Sequence, residues 1–138
     1  MLFRSGVLVA LSMNQDFYRP YQKLLLTVRL AIPAGTHVYA AAALEGQAGL
    51  SCSIEPIDGL EAAAFELPSP SAMDAAGEQF EGYEGAVTGR LWFAINKFQG
   101  DVDVYAVVRY QACTDFLCYP PAELRIPLPL KGVDLIRD

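Results

Sequence analysis

Val102-Asp103-Val104-Tyr105-Ala106-Val107-Val108-Arg109-Tyr110-Gln111-Ala112-Cys113-Thr114-Asp115-Phe116-Leu117-Cys118-Tyr119-Pro120-Pro121 is the stretch that decides how this chain folds. Val102, Val104, Ala106 and Val108 alternate with Asp103, Tyr105, Val107 and Arg109, the period of two that a strand with one buried face requires. Past Pro121 the alternation resumes, with Leu124, Ile126, Leu128 and Leu130 set against Arg125, Pro127, Pro129 and Lys131. If the two runs pair as a hairpin, Cys113 and Cys118 close its loop. Directly opposed residues in a non-hydrogen-bonded antiparallel pair lie about 4.5 Å apart at Cα, within disulfide range. Pro127 and Pro129 cannot donate ladder hydrogen bonds, so the second run belongs at a sheet edge.

Magnitudes bear on what such a bridge is for. Closing so short a loop is worth roughly 2 kcal/mol of chain entropy, whereas a bond spanning most of a domain approaches ~5 kcal/mol. A bridge between neighbours that a sheet already holds adds little as a staple. One reading is that it is made to be broken and remade by thiol–disulfide exchange, which needs an accessible sulfur and a second thiol to resolve the mixed disulfide. The other is a local structural disulfide, or two unpaired thiols, since spacing alone does not identify function.

Working outward, the same alternation recurs. Val7, Val9, Leu11 and Met13 form a first strand; Asp16 to Tyr21, with Pro20, is a connection. Leu24, Leu26, Val28, Leu30 and Ile32 give the cleanest apolar face in the chain, ended by the turn Pro33-Ala34-Gly35. Thr36 to Leu44 follows, then a loop from Gly46 to Gly49. Leu50, Cys52 and Ile54 share a face, which places Cys52 in the core as an inert thiol. Glu55 to Gly59 is a turn, and Ala62 to Leu67 a short strand. Residues 68–85, rich in Pro, Ser and Gly, form the longest irregular segment, with a helical turn around Met73 to Ala76; long loops in compact domains are disproportionately functional. Val87 to Asn96 is a strand with Leu91, Phe93 and Ile95 on one face. Gly132 to Asp138 reads as a tail or linker. About eight short strands and no long helix predict an all-β antiparallel sandwich.

The chain of 138 residues suits one domain, 1–138, and its 53% apolar content excludes disorder. A net charge of −6 with no basic stripe argues against nucleic acid and anionic membrane surfaces as partners. No apolar run approaches the roughly 18 residues of a membrane span, so no direct insertion is expected. Met1 to Leu11 reads as an initiating methionine on an excised or processed domain followed by a strand, its apolar part being short for a signal peptide. His37, the only histidine, reads by itself as an exposed strand-end residue. It has no second ligand at suitable spacing, and Cys113 with Cys118 lacks the further pair a structural zinc site needs, so neither metal nor cofactor is expected.

Tyr110-Gln111-Ala112-Cys113, the four-residue gap, Cys118-Tyr119-Pro120-Pro121 and Ile126-Pro127-Leu128 resemble the active-site hairpin of the amino-terminal periplasmic domain of the thiol:disulfide interchange protein DsbD. Glu78-Gln79-Phe80-Glu81-Gly82 resembles that family's cap loop, in which an aromatic covers the disulfide; Phe80 inherits that role, and Gln79 stands where the family often has an acid. The register after the glycine turn matches Tyr39 to one family tyrosine near the disulfide, with His37 in place of another. A histidine there can stabilise a thiolate. The resemblance implies an immunoglobulin-like antiparallel sandwich with 68–85 as a cap-like loop. It implies catalytic Cys113 and Cys118, surrounded by Phe80, Glu78, Tyr39, His37, Asp115, Phe116 and Tyr119. Cys118 would engage the partner and Cys113 resolve, while Asp115 disfavours a nearby thiolate. The implied activity is a protein-disulfide reductase relay, taking electrons from a membrane-embedded partner to thioredoxin-like clients. The implied setting is the periplasm, as a monomeric domain of a membrane-anchored protein. The competing expectation is a non-catalytic interaction module with a structural hairpin disulfide.

Overall fold

In the computed structural model, residues 5–41, 48–75 and 77–133 are described, the side chains of Ala75 and Glu78 excepted. The strands are β1 (Leu8–Met13), β2 (Phe17–Tyr18), β3 (Leu24–Ala31), β4 (His37–Tyr39), β5 (Ser51–Ile54) and β6 (Leu60–Ala62), followed by β7 (Ser71–Ala75), β8 (Glu78–Tyr83), β9 (Ala86–Ile95), β10 (Val102–Tyr110), β11 (Ala112–Cys113) and β12 (Ala122–Gly132). They form three sheets, ordered β1-β3-β9-β6, β2-β12-β10-β5 and β11-β4-β8-β7. All pairings are antiparallel except the short one between β12 and β2. The expected antiparallel sandwich is what forms, and no helix among the described residues is long and apolar enough to cross a membrane.

The first two sheets share one core. Leu24, Leu26, Val28 and Leu30 of β3 and Leu91, Phe93 and Ile95 of β9 meet Val104, Ala106 and Val108 of β10, Leu128 and Leu130 of β12, and Cys52 and Ile54 of β5. Each fully buried aliphatic side chain contributes about 1.5–3 kcal/mol of transfer free energy. Burial raises the Cys52 thiol to about 11, so it remains protonated and unreactive at neutral pH.

The predicted hairpin of β10 and β12 pairs over its whole length, from Val102 opposite Leu130 to Tyr110 opposite Ala122. Among the described residues no strand pairs with the other flank of β12 from Ala122 to Leu130, and Pro127 and Pro129 sit there without breaking a ladder. Gly132, expected in the tail, instead ends β12, and the Val133 amide donates to the Tyr18 carbonyl at 3.0 Å.

Two expected irregular segments are strands. The stretch from Asp16 to Tyr21 contains β2, whose Tyr18 is fully buried; its hydroxyl donates to the Gly100 carbonyl at 2.7 Å and accepts from the Gln99 amide at 2.9 Å. Tyr18→Phe removes both bonds from a buried site and should cost about 1–2 kcal/mol in denaturant unfolding, with the fold retained. Within 68–85, the helical turn expected at Met73 is absent: Met73 to Ala75 belong to β7, which pairs with β8 as a hairpin whose turn contains Gly77 at φ 81°. Backbone pairing across a tight turn outcompetes a one-turn helix, which is too short to be stable alone. The short strand expected at Ala62 to Leu67 is shifted to β6, leaving Glu66 in a single bridge with Arg90. Leu44 and Gly46, the ends of two expected segments, lie outside the described residues.

The third sheet positions the site. β3 and β10 end, and β9 begins, at one end of the sandwich, where Ala31 opposes Ala86. There β3 leads into β4, β10 into β11, and β8 into β9.

Candidate functional site

At the far end of the β10–β12 hairpin, Cys113 and Cys118 are joined by a disulfide, with Cα atoms 4.0 Å apart, as an antiparallel bridge pair. The intervening residues form a tight turn. The Thr114 amide donates to the Leu117 carbonyl at 2.8 Å, and the Thr114 hydroxyl accepts from the amides of Phe116 and Leu117, both at 3.2 Å. A threonine that holds the next backbone amides in this way stabilises the turn locally. The turn therefore presents Phe116 and Leu117 to solvent, 95% and 52% exposed.

The two sulfurs have unequal surroundings. Cys113, in β11, is 1% exposed, whereas Cys118 is exposed. Gln111, buried two residues before Cys113, ties the chain on the far side of the bridge in place: its amide nitrogen donates to the Tyr119 carbonyl and its amide oxygen accepts from the Ala48 backbone amide, each at 3.1 Å. The Tyr119 amide donates to the Ala112 carbonyl at 2.9 Å, so Tyr119 is pinned beside the bridge and half-buried. Gln111 appeared in the sequence only as part of a motif; a polar residue that follows the apolar alternation of β10 and precedes a cysteine was its signal.

β4 lies in the third sheet between β11 and β8. His37 lies directly opposite Cys113 across the ladder. Tyr39, on the same face, brings its hydroxyl to 3.8 Å from Cys118 Sγ. Phe80 of β8 packs on both, with ring centroids 4.6 Å from His37 and 5.0 Å from Tyr39, and is half-buried. The ring folds back over Gly82: a Cβ at Gly82 would stand 3.1 Å from Phe80 Cε2, 3.4 Å from Met73 Sδ and 2.6 Å from the Val38 carbonyl oxygen.

His37 is not the exposed strand-end residue expected of it. It is only 7% exposed, because its strand is flanked on both sides and Phe80 covers the ring. Burial lowers its pKa below the ordinary value, opposed by the charges of Asp115 and Glu84, which raise it. Cys113, Cys118, Tyr39, His37 and Phe80 are thus brought together; Asp115 lies exposed in the turn beside them, and Phe116 projects away into solvent. Glu78 is placed in β8 by its backbone, while its side chain is outside the described residues.

Chemically, an exposed sulfur bonded to a buried one offers a single point of attack and an adjacent thiol for resolution. Among the described residues, no group of three or more His, Cys, Asp or Glu side chains is placed to hold a metal ion.

Known proteins point the same way. The N-terminal periplasmic domain of ScsB from Proteus mirabilis superposes with a TM-score of 0.64 at 15% identity, covering 93% of this chain and 47% of that one, so the chain spans about half its length. The N-terminal domain of DsbD from Neisseria meningitidis, solved in its reduced form, gives a TM-score of 0.58 at 17% identity, covering 90% of this chain and 86% of that one. A structure of the complex between the DsbD and PilB N-terminal domains of the same organism gives 0.52 at 20% identity, covering 75% and 73%. No functionally curated protein matches the chain in sequence. The sandwich is accordingly of the immunoglobulin-like kind. A family model described as thiol:disulfide interchange protein DsbD, N-terminal, matches residues 9–129, from β1 into β12. The chain therefore belongs to the DsbD N-terminal domain family, a family of thiol–disulfide exchange domains.

Proposed function

We propose that this domain is a periplasmic protein-disulfide reductase that relays electrons from a membrane-embedded partner to thioredoxin-like clients through Cys113 and Cys118. The observation that carries the reading is the unequal exposure of two sulfurs in one bridge. In the reduced domain the Cys118 thiolate attacks a client disulfide, forming a mixed disulfide and releasing one client thiolate, which takes up a proton. Cys113, kept adjacent by the pairing of the two cysteines across the ladder, then loses its proton and attacks Cys118 Sγ. The mixed disulfide breaks, the second client thiolate leaves, and the Cys113–Cys118 bond returns. The client has gained two electrons and the domain has lost two. The membrane partner restores the dithiol by the reverse exchange.

The surroundings fit these roles. Phe80, packed on His37 and Tyr39, serves as the cap that limits attack until a partner docks. The Tyr39 hydroxyl contacts the sulfur that reacts first. Asp115 disfavours a free thiolate nearby, which restrains the reduced pair in the absence of a partner. The complex of the DsbD and PilB N-terminal domains is a precedent for a protein client docking on such a domain.

The test is the reduction potential of the pair, measured by trapping thiols after equilibration in graded thiol–disulfide buffers. A value of about −200 to −270 mV is expected, in the range of exchange proteins. A value below about −300 mV would mark a structural disulfide and favour a non-catalytic interaction module.

A further inference from the structure

We infer that His37 is a positioning residue that makes the Phe80 cap respond to pH, holding it shut when the imidazole is neutral and releasing it on protonation. The inference rests on the reading of Phe80 as a cap over a reactive disulfide. It begins with placement. His37 is opposite Cys113 in the ladder, on the face that carries Tyr39, and its ring is the nearer of the two aromatic supports under Phe80, at 4.6 Å against 5.0 Å for Tyr39. Tyr39 and His37 also meet edge to face at 6.0 Å, so the three rings form one cluster. An aliphatic or phenolic support in this position would be indifferent to pH across the neutral range; an imidazole is not.

The groups around His37 decide the direction. From β11 it faces Cys113, which carries no charge in the disulfide. From β8 it faces the Phe80 ring, and one step beyond the Val38–Tyr83 pair the strand register brings up Glu84. From the turn after β11 comes Asp115, and from its own strand Tyr39. Both carboxylates are exposed to water, which screens them, whereas the ring itself is buried by Phe80. Desolvation accordingly outweighs the two charges, and the closed state prefers the neutral ring.

When the cap lifts, the imidazole regains water and its ordinary affinity for protons. Above the ordinary value of about 6.5 the ring is neutral in both states and closure keeps its full advantage. As pH falls through the interval between the ordinary value and the lowered one of the closed state, the open state binds a proton that the closed state does not, and closure weakens. Acid therefore loosens Phe80 beside the disulfide and widens the approach to it, without any change at the sulfurs.

The decisive experiment uses a phosphine reductant, which attacks a disulfide sulfur directly and leaves as phosphine oxide after reacting with water, yielding two thiols. It needs no thiolate, so the rate reports access to the bridge. Rates are measured on the oxidised domain from about pH 8 to about pH 5 for the wild type and for His37→Phe, which keeps an aromatic support but cannot titrate. The ratio of the two rates cancels the phosphine's own titration. We expect that ratio to rise at least about threefold toward acid, and to be flat when both proteins also carry Phe80→Ala. A ratio independent of pH in the Phe80 background would overturn the inference.

Because His37 is the only histidine, its imidazole signals in a proton NMR titration are unambiguous, and they keep the question open to test should His37→Phe fail to fold. The midpoint in the oxidised wild type is expected below that in Phe80→Ala; equal midpoints sink the idea. Neither measurement uses a client. A potential that marks the disulfide as structural would remove the relay and leave the pH response of the cap standing, so the two failures are separable.

Discussion

Cys118→Ser is expected to abolish adduct formation with any disulfide partner, while Cys113→Ser captures the partner as a mixed disulfide that persists. The asymmetry follows from burial alone. In Cys113→Ser the remaining thiol is on the exposed side of the bridge, and the resolving sulfur is gone. In Cys118→Ser the remaining thiol is 1% exposed, inside a strand that pairs with β4. Without a partner the same contrast should appear toward an alkylating reagent, with the Cys113→Ser protein reacting at least about tenfold faster than the Cys118→Ser protein. Mass spectrometry of non-reduced mixtures reads the adduct, and timed alkylation reads the rates. Equal rates, or a stable adduct on Cys113, would contradict the assignment of the first attacker.

Gly82→Ala is expected to have the larger effect on the structure, a loss of about 1–3 kcal/mol in unfolding free energy. The new methyl group would stand 2.6 Å from the Val38 carbonyl oxygen, which belongs to the adjacent strand and cannot swing aside as a side chain would. The methyl also occupies the place over which the Phe80 ring folds. The same variant should therefore speed phosphine reduction of the disulfide at neutral pH, a change that loss of stability elsewhere in the core would not produce. A Gly82→Ala protein with native stability and native reduction rate would show that the strand relaxes to accept the methyl.

The sandwich was legible where alternation is dictated by burial. β3, β9 and β10 each run through a core that accepts every second side chain, and their faces were assigned correctly from residue type. The cysteine pair was legible for the same reason: two alternating runs with a short gap leave the ends of the gap opposed. β2 was not, since two residues before a proline carry no period. The β7–β8 hairpin is hidden in the sequence because most of its described side chains face water, so Ser71, Ala72 and Asp74 give no apolar period and backbone pairing makes the strands. Burial of His37 depends on Phe80, more than forty residues away in sequence, and on β11 beyond that; no local pattern reports it. The resemblance at Glu78 to Gly82 points to Phe80, but its contact with His37 is a property of the folded strands alone.

One property of the β7–β8 hairpin reaches further than its contacts. β4 pairs with β8 at Tyr83 and Gly82, and the Ala40 amide reaches the Glu81 carbonyl at 3.0 Å. Beyond that point, among the described residues, the arm carrying Phe80 is held to the rest of the domain by side chains rather than by ladder hydrogen bonds. It is a cantilever, fixed at its root and held down close to that root, at Phe80, by two aromatic contacts of about 0.5–1.5 kcal/mol each, with the Gly77 turn at its far end. Lifting such an arm breaks no pairing with β4 beyond Glu81, so what holds it down there is the packing of Phe80 on His37 and Tyr39. Raising the arm then widens the approach to a sulfur that is already exposed, so the exchange rate varies with the position of the arm rather than vanishing when it is down.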